Sequence, residues 1–269
     1  MRRQSGSLCA IGVGIRAPAQ ASLEAVSRIQ GADKVFSLLA DPLSEYWVQT
    51  LNESAESLAD LYAVGKERLQ TYREMVERIV GTVRRGDRVC AVSYGHPGVA
   101  AYPLHESVRR ARAEGFPAEM LPGISAEDCL FADLGIDPIP VGCRSYEATD
   151  FLVYRRAADP ASNLILWQIG AIGEPGFIPT DSIWNQAGLE VLTEKLLETY
   201  PHDHEVVVYE AAQIVLCKPA VQRVALRELP GARVTPLSTL FVPPATRALP
   251  DGEMVRRLRM RTSSPAATG

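Results

Sequence analysis

No run in the 269-residue sequence approaches the roughly 18 consecutive apolar residues that a membrane-spanning helix needs. A surplus of positive charge is missing too: 28 Lys and Arg stand against 32 Asp and Glu, a net charge of −4. That balance argues against an obligate nucleic-acid binder, which usually carries a basic excess. Cysteines are few: Cys9, Cys90, Cys129, Cys143 and Cys217 are odd in number, widely scattered and form no CxxC pair. They exclude the usual zinc spacings and point to a reducing compartment. His105, His202 and His204 stand in no ligand-like spacing with His96, so no metal site is expected. The start, MRRQSGSLCAIGVGI, pairs two arginines with a short apolar run broken by glycine, and reads as a first strand rather than a signal peptide. A cytoplasmic location is expected.

What is present is ordinary globular composition, 46% hydrophobic and 22% charged, with neither the charge excess of disorder nor the glycine of a collagen repeat. Short apolar runs alternate with amphipathic stretches. Ser7–Val13, Lys34–Leu39, Arg88–Ser93, Asn163–Ile169, Glu205–Tyr209 and Thr239–Val242 read as strands. The continuous apolar VCAV of the third is typical of a parallel strand buried on both faces. Helices are expected near Ser22–Gln30, at Pro103–Glu114, Ser125–Leu134 and Leu189–Thr199. Another is expected over Leu69–Arg84, where Tyr72, Met75, Val76, Ile79 and Val83 keep helical spacing. The alternation implies an α/β fold. The break at Leu121-Pro-Gly123 divides it into subdomains at 1–120 and 121–245, with a cleft between them and a basic, polar tail over 246–269.

Gly12-Val-Gly14 follows the first strand. Such a turn can bring backbone close to a cofactor, which makes Gly12 a candidate contact, or can be no more than a tight turn. Ala17 stands where a dinucleotide fingerprint needs its third glycine, so nicotinamide binding is rejected. Tyr94-Gly95-His96-Pro97-Gly98 carries more, because it ends a buried strand, where open α/β sheets bind ligands. His96 can be a base or, preferably, a hydrogen-bonding turn residue. Ser125 and Asp128 have capping-box spacing, and amides at that helix start can contact a ligand. Arg68 and Tyr72, four apart, share a helix face if the helix expected from Leu69 reaches back to Arg68, with Tyr62 nearby in LYAVGKERLQTY. An arginine beside a phenol favours phenolate. The set is either a solvated surface cluster or a device to polarise a carbonyl and remove a weakly acidic proton.

YGHPG (94–98), LPGISAED (121–128), FADLGIDP (131–138) and SYEATDFL (145–152) together resemble the borosin peptide α-N-methyltransferases, a branch of the tetrapyrrole-methylase superfamily. The resemblance runs from Gly12 to about Pro244. It implies a two-subdomain tetrapyrrole-methylase-like fold with S-adenosyl-L-methionine in the interdomain cleft, and iterative methylation of peptide backbone amides. It implies catalytic roles for Tyr62, Arg68, Tyr72 and Tyr94. It also implies cofactor contacts from Tyr94, His96 and Val99, from Ser125 and Ala126, from Gln168, and from Ala211, Ser238 and Thr239. Ala211 stands where the family has glycine, and the Tyr62-to-Arg68 stretch is shorter than in some fungal members. Tyr72, as phenolate, is the candidate base. Arg68 and a tyrosine hydroxyl would stabilise the imidate-like oxygen. The polar stretch after Pro244 lacks an apolar core peptide, so the chain resembles the split type, whose precursor peptide is a separate polypeptide. The resemblance also implies a homodimer. Two alternatives stay open: a tetrapyrrole C-methyltransferase using the same cleft, and a non-catalytic subunit that binds cofactor and peptide.

Overall fold

The computed structural model describes residues 6–174, 176 and 186–260. Two five-stranded sheets form. The first contains β1 (Ser7–Gly12), β2 (Lys34–Leu38), β3 (Glu56–Ser57), β4 (Arg88–Ser93) and β5 (Ala118–Leu121) in the order β3-β2-β4-β1-β5, every pair parallel. The apolar run at Val89–Val92 is buried on both faces, as its composition implies. On one face Ile11, Val35, Cys90 and Val92 pack against α1 (Leu23–Gly31) and α2 (Pro42–Leu51). On the other, Leu8, Ala10, Phe36, Val89 and Ala91 pack against α3 (Arg68–Arg84) and α4 (Tyr102–Ala113).

Local chemistry sets where these helices begin. Ser22 caps α1 by accepting the Ala25 N–H, and Asp41 caps α2 by accepting those of Leu43 and Ser44. Pro42 and Pro103 open α2 and α4, where a missing N–H costs nothing. Helix α2 has no counterpart in the expectations above: Tyr46 and Leu43 are exposed, which weakens its apolar periodicity.

After β5, α5 (Ala126–Leu134) leads to the second sheet. Its strands are β6 (Cys143–Glu147), β7 (Asn163–Trp167), β8 (Glu205–Glu210), β9 (Ala220–Ala225) and β10 (Thr239–Val242), in the order β6-β7-β10-β8-β9. Only the β6–β7 pair is parallel. The expected strand at Asn163–Ile169 stops at Trp167 because Gln168 turns into the left-handed region, φ 58°, and a short 3₁₀ helix follows. Side chains alternate across this sheet with period two. Leu164, Leu166, Val206, Val208 and Leu240 face the helix α7 (Gln186–Leu197), with α6 (Ala148–Val153) beside it. Ile165, Val207, Tyr209 and Phe241 face Cys129 and Leu130 of α5, together with Ile15 from the end of the first sheet. In the tail a single helical turn, α8 (Gly252–Arg257), is capped by Asp251.

Candidate active site

In the first sheet, β1 is followed by a helix on one face, and its neighbour β4 by a helix on the other. Adjacent strands whose connections part in this way open a crevice at their carboxyl ends, the position where open α/β sheets take ligands. The two loops that leave there are Gly12–Gly14 and Tyr94–Gly98. They are tied to each other: Gly95 N–H donates to the Gly14 carbonyl at 2.8 Å, and Gly14 N–H returns to Gly95 at 3.3 Å. A side chain on Gly12 would place its Cβ 2.1 Å from the Gly95 carbonyl oxygen, and one on Gly123 would lie 2.6 Å from it. Three backbone segments thus meet at van der Waals contact, which only glycine allows.

His96 is the turn residue. Its Nδ1 accepts the Gly98 N–H at 2.9 Å, so the neutral ring carries its proton on Nε2. The Gly98 carbonyl accepts from His105 at 2.9 Å, which fixes the loop from the α4 side. Val99 follows, exposed. At α5 the capping box is complete. Ser125 N–H and Oγ both donate to the Asp128 carboxylate at 2.7 Å, and Asp128 N–H returns to Ser125 Oγ at 3.2 Å. The Ser125 N–H is thus used in the cap, and Ala126 follows as the first residue of α5.

The second sheet gathers its candidates at one end of its central strands. Gln168 ends β7, Ala211 follows β8, and Ser238 and Thr239 begin the antiparallel β10 between them. Ile169 N–H donates to the Ser238 carbonyl at 3.1 Å. Ser238 Oγ and Thr235 Oγ1 both donate to Glu210, a carboxylate absent from the expected set. Ser238 and Thr239 are fully enclosed.

The four expected catalytic residues come together. Arg68 is the first residue of α3 and Tyr72 lies one turn on. Tyr62 caps the 3₁₀ turn Ala59–Leu61, and Tyr94 leaves β4. The Tyr62 hydroxyl is hydrogen-bonded to Tyr72, and Tyr94 and Arg68 act on it electrostatically. Burial, then Tyr72, holds the Tyr62 phenol far above its ordinary value; the Arg68 charge opposes this as the smallest contribution. Burial likewise raises Tyr94, with Tyr72 second. Tyr94 is 42% exposed over the whole residue, so the desolvation belongs to its inward hydroxyl end. At Tyr62 the arginine thus fails to give a phenolate, because desolvation outweighs it.

Arg68 donates from Nε to the Gly176 carbonyl at 2.8 Å, and Glu67 forms an antiparallel bridge with Gly176, so the segment after β7 reaches the head of α3. Tyr102 stacks on Tyr72, ring centroids 6.1 Å apart. Its spacing from the YGHPG loop marks a helix start and no more, which is why sequence reasoning passed over it. Among the described residues no group of three or more His, Cys, Asp or Glu side chains could hold a metal ion.

The family model for tetrapyrrole (corrin/porphyrin) methylases matches residues 7–228. The chain belongs to this family. Among curated relatives of this methylase-family chain, a methyltransferase/ribosomally synthesized cyclic peptide gymnopeptides precursor from Gymnopus fusipes is 40% identical over 263 residues, 96% of this chain and 62% of that protein. A methyltransferase/ribosomally synthesized cyclic peptide omphalotin A precursor from Omphalotus olearius is 41% identical, again over 96% of this chain and 62% of that protein. A type III borosin cyclic peptide precursor from Anomoporia bombycina is 40% identical over 89% of this chain and 28% of that protein. The chain therefore spans less than two thirds of these relatives. Solved structures of the methyltransferase CobJ (TM-score 0.63, 19% identical, 91% of this chain and 98% of that one) and of uroporphyrin-III-C-methyltransferase from Thermus thermophilus (0.61, 20%, 89% and 93%) share its fold. No helix among the described residues is long and apolar enough to cross a membrane.

Proposed function

We propose that this methylase-family chain is a borosin-type peptide methyltransferase, which moves the methyl group of S-adenosyl-L-methionine to backbone amide nitrogens of a ribosomally made precursor peptide. The observation that carries the reading is the grouping of three phenols and a guanidinium at the mouth of the switch-point crevice. Relatives about 40% identical across nearly all of this chain have names that join methyltransferase to ribosomal peptide precursor, which supports the same reading.

The glycine backbone at the crevice supports cofactor binding there. The glycine contact of Gly12, Gly95 and Gly123 leaves main chain rather than side chains facing the crevice. Tyr94, His96 and Val99 would hold it from the first sheet, Ser125 and Ala126 from α5, and Gln168, Ala211, Ser238 and Thr239 from the second sheet. When bound, S-adenosyl-L-methionine supplies an electrophilic methyl group on a positively charged sulfur.

The chain's own residues address the other half of the problem. An amide nitrogen is a weak nucleophile because its lone pair is delocalised into the carbonyl. Loss of its proton places charge on the carbonyl oxygen, which Arg68 and the protonated hydroxyls of Tyr62 and Tyr94 stabilise as donors. Tyr72, whose oxygen Tyr62 already engages, takes the role of base in this reading. Holding the amide against Tyr72 supplies the rest through orientation. The peptide is proposed to act in trans. Mixing the purified chain with S-adenosyl-L-methionine and a separate apolar peptide, followed by tandem mass spectrometry, should give successive one-methyl increments on backbone nitrogens. Methylation of the chain's own 247–269 segment would replace the trans arrangement with a cis one. Methylation of a uroporphyrinogen instead of peptide would overturn the reading.

A further inference from the structure

The stretch from Leu61 to Arg68 is a tight turn with an open tip: Val64 is 83% exposed, and Gly65 takes a φ of +78°. Leu61 and Tyr62 at its base pack against the first-sheet core, but the exposed tip over Ala63–Gly65 has little packing to hold the turn's shape. One side chain closes it. Lys66 Nζ donates to the Leu61 carbonyl at 2.8 Å, immediately before Tyr62, and to Glu74 Oε2 at 2.5 Å, on the second turn of α3. The Lys66 side chain is only 18% exposed. Its own N–H donates to Ala63 at 3.1 Å, so the two ends of the turn are joined through one residue. A second ion pair pins the preceding 3₁₀ turn, with Arg78 Nη1 at 3.0 Å from Asp60.

We infer that Lys66, bracketed between the Leu61 carbonyl and Glu74, is a positioning residue that sets where the Tyr62 hydroxyl stands relative to Tyr72 and Arg68. This rests on the catalytic reading above. Lys66 touches no reacting atom. It acts by fixing the main chain one bond from Tyr62, so its loss should cost rate and leave cofactor binding alone. A displacement of about an ångström in a reacting group can cost up to about 10²-fold.

The test is a double-mutant cycle of Lys66→Met with Tyr62→Phe, plus 3-fluorotyrosine at position 62 read by ¹⁹F NMR. In the native background Lys66→Met should lower kcat by about tenfold or more, with the dissociation constant for S-adenosyl-L-methionine changed less than about twofold. In the Tyr62→Phe background the same substitution should cost less than about twofold, because the two act through one group. Glu74→Gln should give a smaller loss of the same kind, and Lys66→Arg should restore part of it. Full additivity of Lys66→Met and Tyr62→Phe, or an unmoved ¹⁹F shift at position 62, would overturn the inference. A wild-type chain inactive on every peptide would overturn the catalytic reading instead, and the ¹⁹F shift would still decide the placement of Tyr62. If Lys66→Met does not fold, Glu74→Gln and Lys66→Arg carry the same comparisons.

Discussion

Burial holds the Tyr62 and Tyr94 phenols above their ordinary range, so both keep their protons where an unburied phenol would lose them. In the proposed reaction these two are donors for a developing oxyanion, and Tyr72 is the acceptor. Replacement of Tyr72 by Phe, or of Arg68 by Ala, should slow peptide methylation by about 10²-fold or more while S-adenosyl-L-methionine affinity stays within a few-fold, as calorimetry and peptide mass spectrometry will read. The same protonation has a stability signature. Unfolded tyrosine loses its proton near pH 10, whereas folded Tyr62 keeps it to higher pH. Above pH 10 the unfolded state therefore binds fewer protons than the folded state, and stability falls as pH rises. Urea midpoints followed between pH 9 and pH 11 should decline, and less steeply in Tyr62→Phe.

Among the elements, β1, β4 and α3 were legible because each carries one unmixed signal. Val89–Val92 is continuous apolar sequence, and Met75, Val76, Ile79 and Val83 mark one helical stripe that is buried as its spacing says. Strands β6 and β9 lie at the edges of the second sheet, where CRSYE and AVQRVA stay largely solvated, so no apolar run marks them. β5 is another edge strand, half-buried throughout. Of the site, spacing offered Tyr62, Arg68 and Tyr72 as either a surface cluster or a catalytic one, and the resemblance added Tyr94 and the catalytic roles. The tethers that aim them, Gly176 for Arg68 and Glu74 for Lys66, depend on long-range placement or on a salt bridge that spacing cannot distinguish from a surface pair.

Two elements give direct tests. Gly12→Ala would press its Cβ into the Gly95 carbonyl and should cost about 1–3 kcal/mol, read as a lowered urea midpoint, together with weakened cofactor binding. Ser125→Ala removes the hydroxyl half of a capping box and should cost about 1 kcal/mol. If Ser125 serves the cofactor as well, its dissociation constant will rise beyond what Asp128→Ala produces.

At the scale of the molecule, the two sheets are joined by more than the chain between them. Ile15 inserts among Ile165, Val207, Tyr209 and Phe241, and the Tyr209 hydroxyl donates to Asp133 at 2.7 Å. Arg68 ties α3 to residue 176. On the proposed function, an enzyme acting on an extended peptide backbone has to exclude water from its site. We expect a second copy of the chain to supply a wall there, with light scattering at micromolar concentration giving about twice the 29.3 kDa chain mass. A mass near that of one chain would contradict it.

The mutual bonds between Gly14 and Gly95 carry one more consequence. Neither amide can reach solvent deuterium unless the two loops part, and neither loop can part without undoing the other. Their exchange should follow a single opening event, slow and matched, well behind that of an exposed neighbour such as Ala100. Because this clasp is made by main chain alone, cofactor addition should leave the protection of Gly14 and Gly95 almost unchanged.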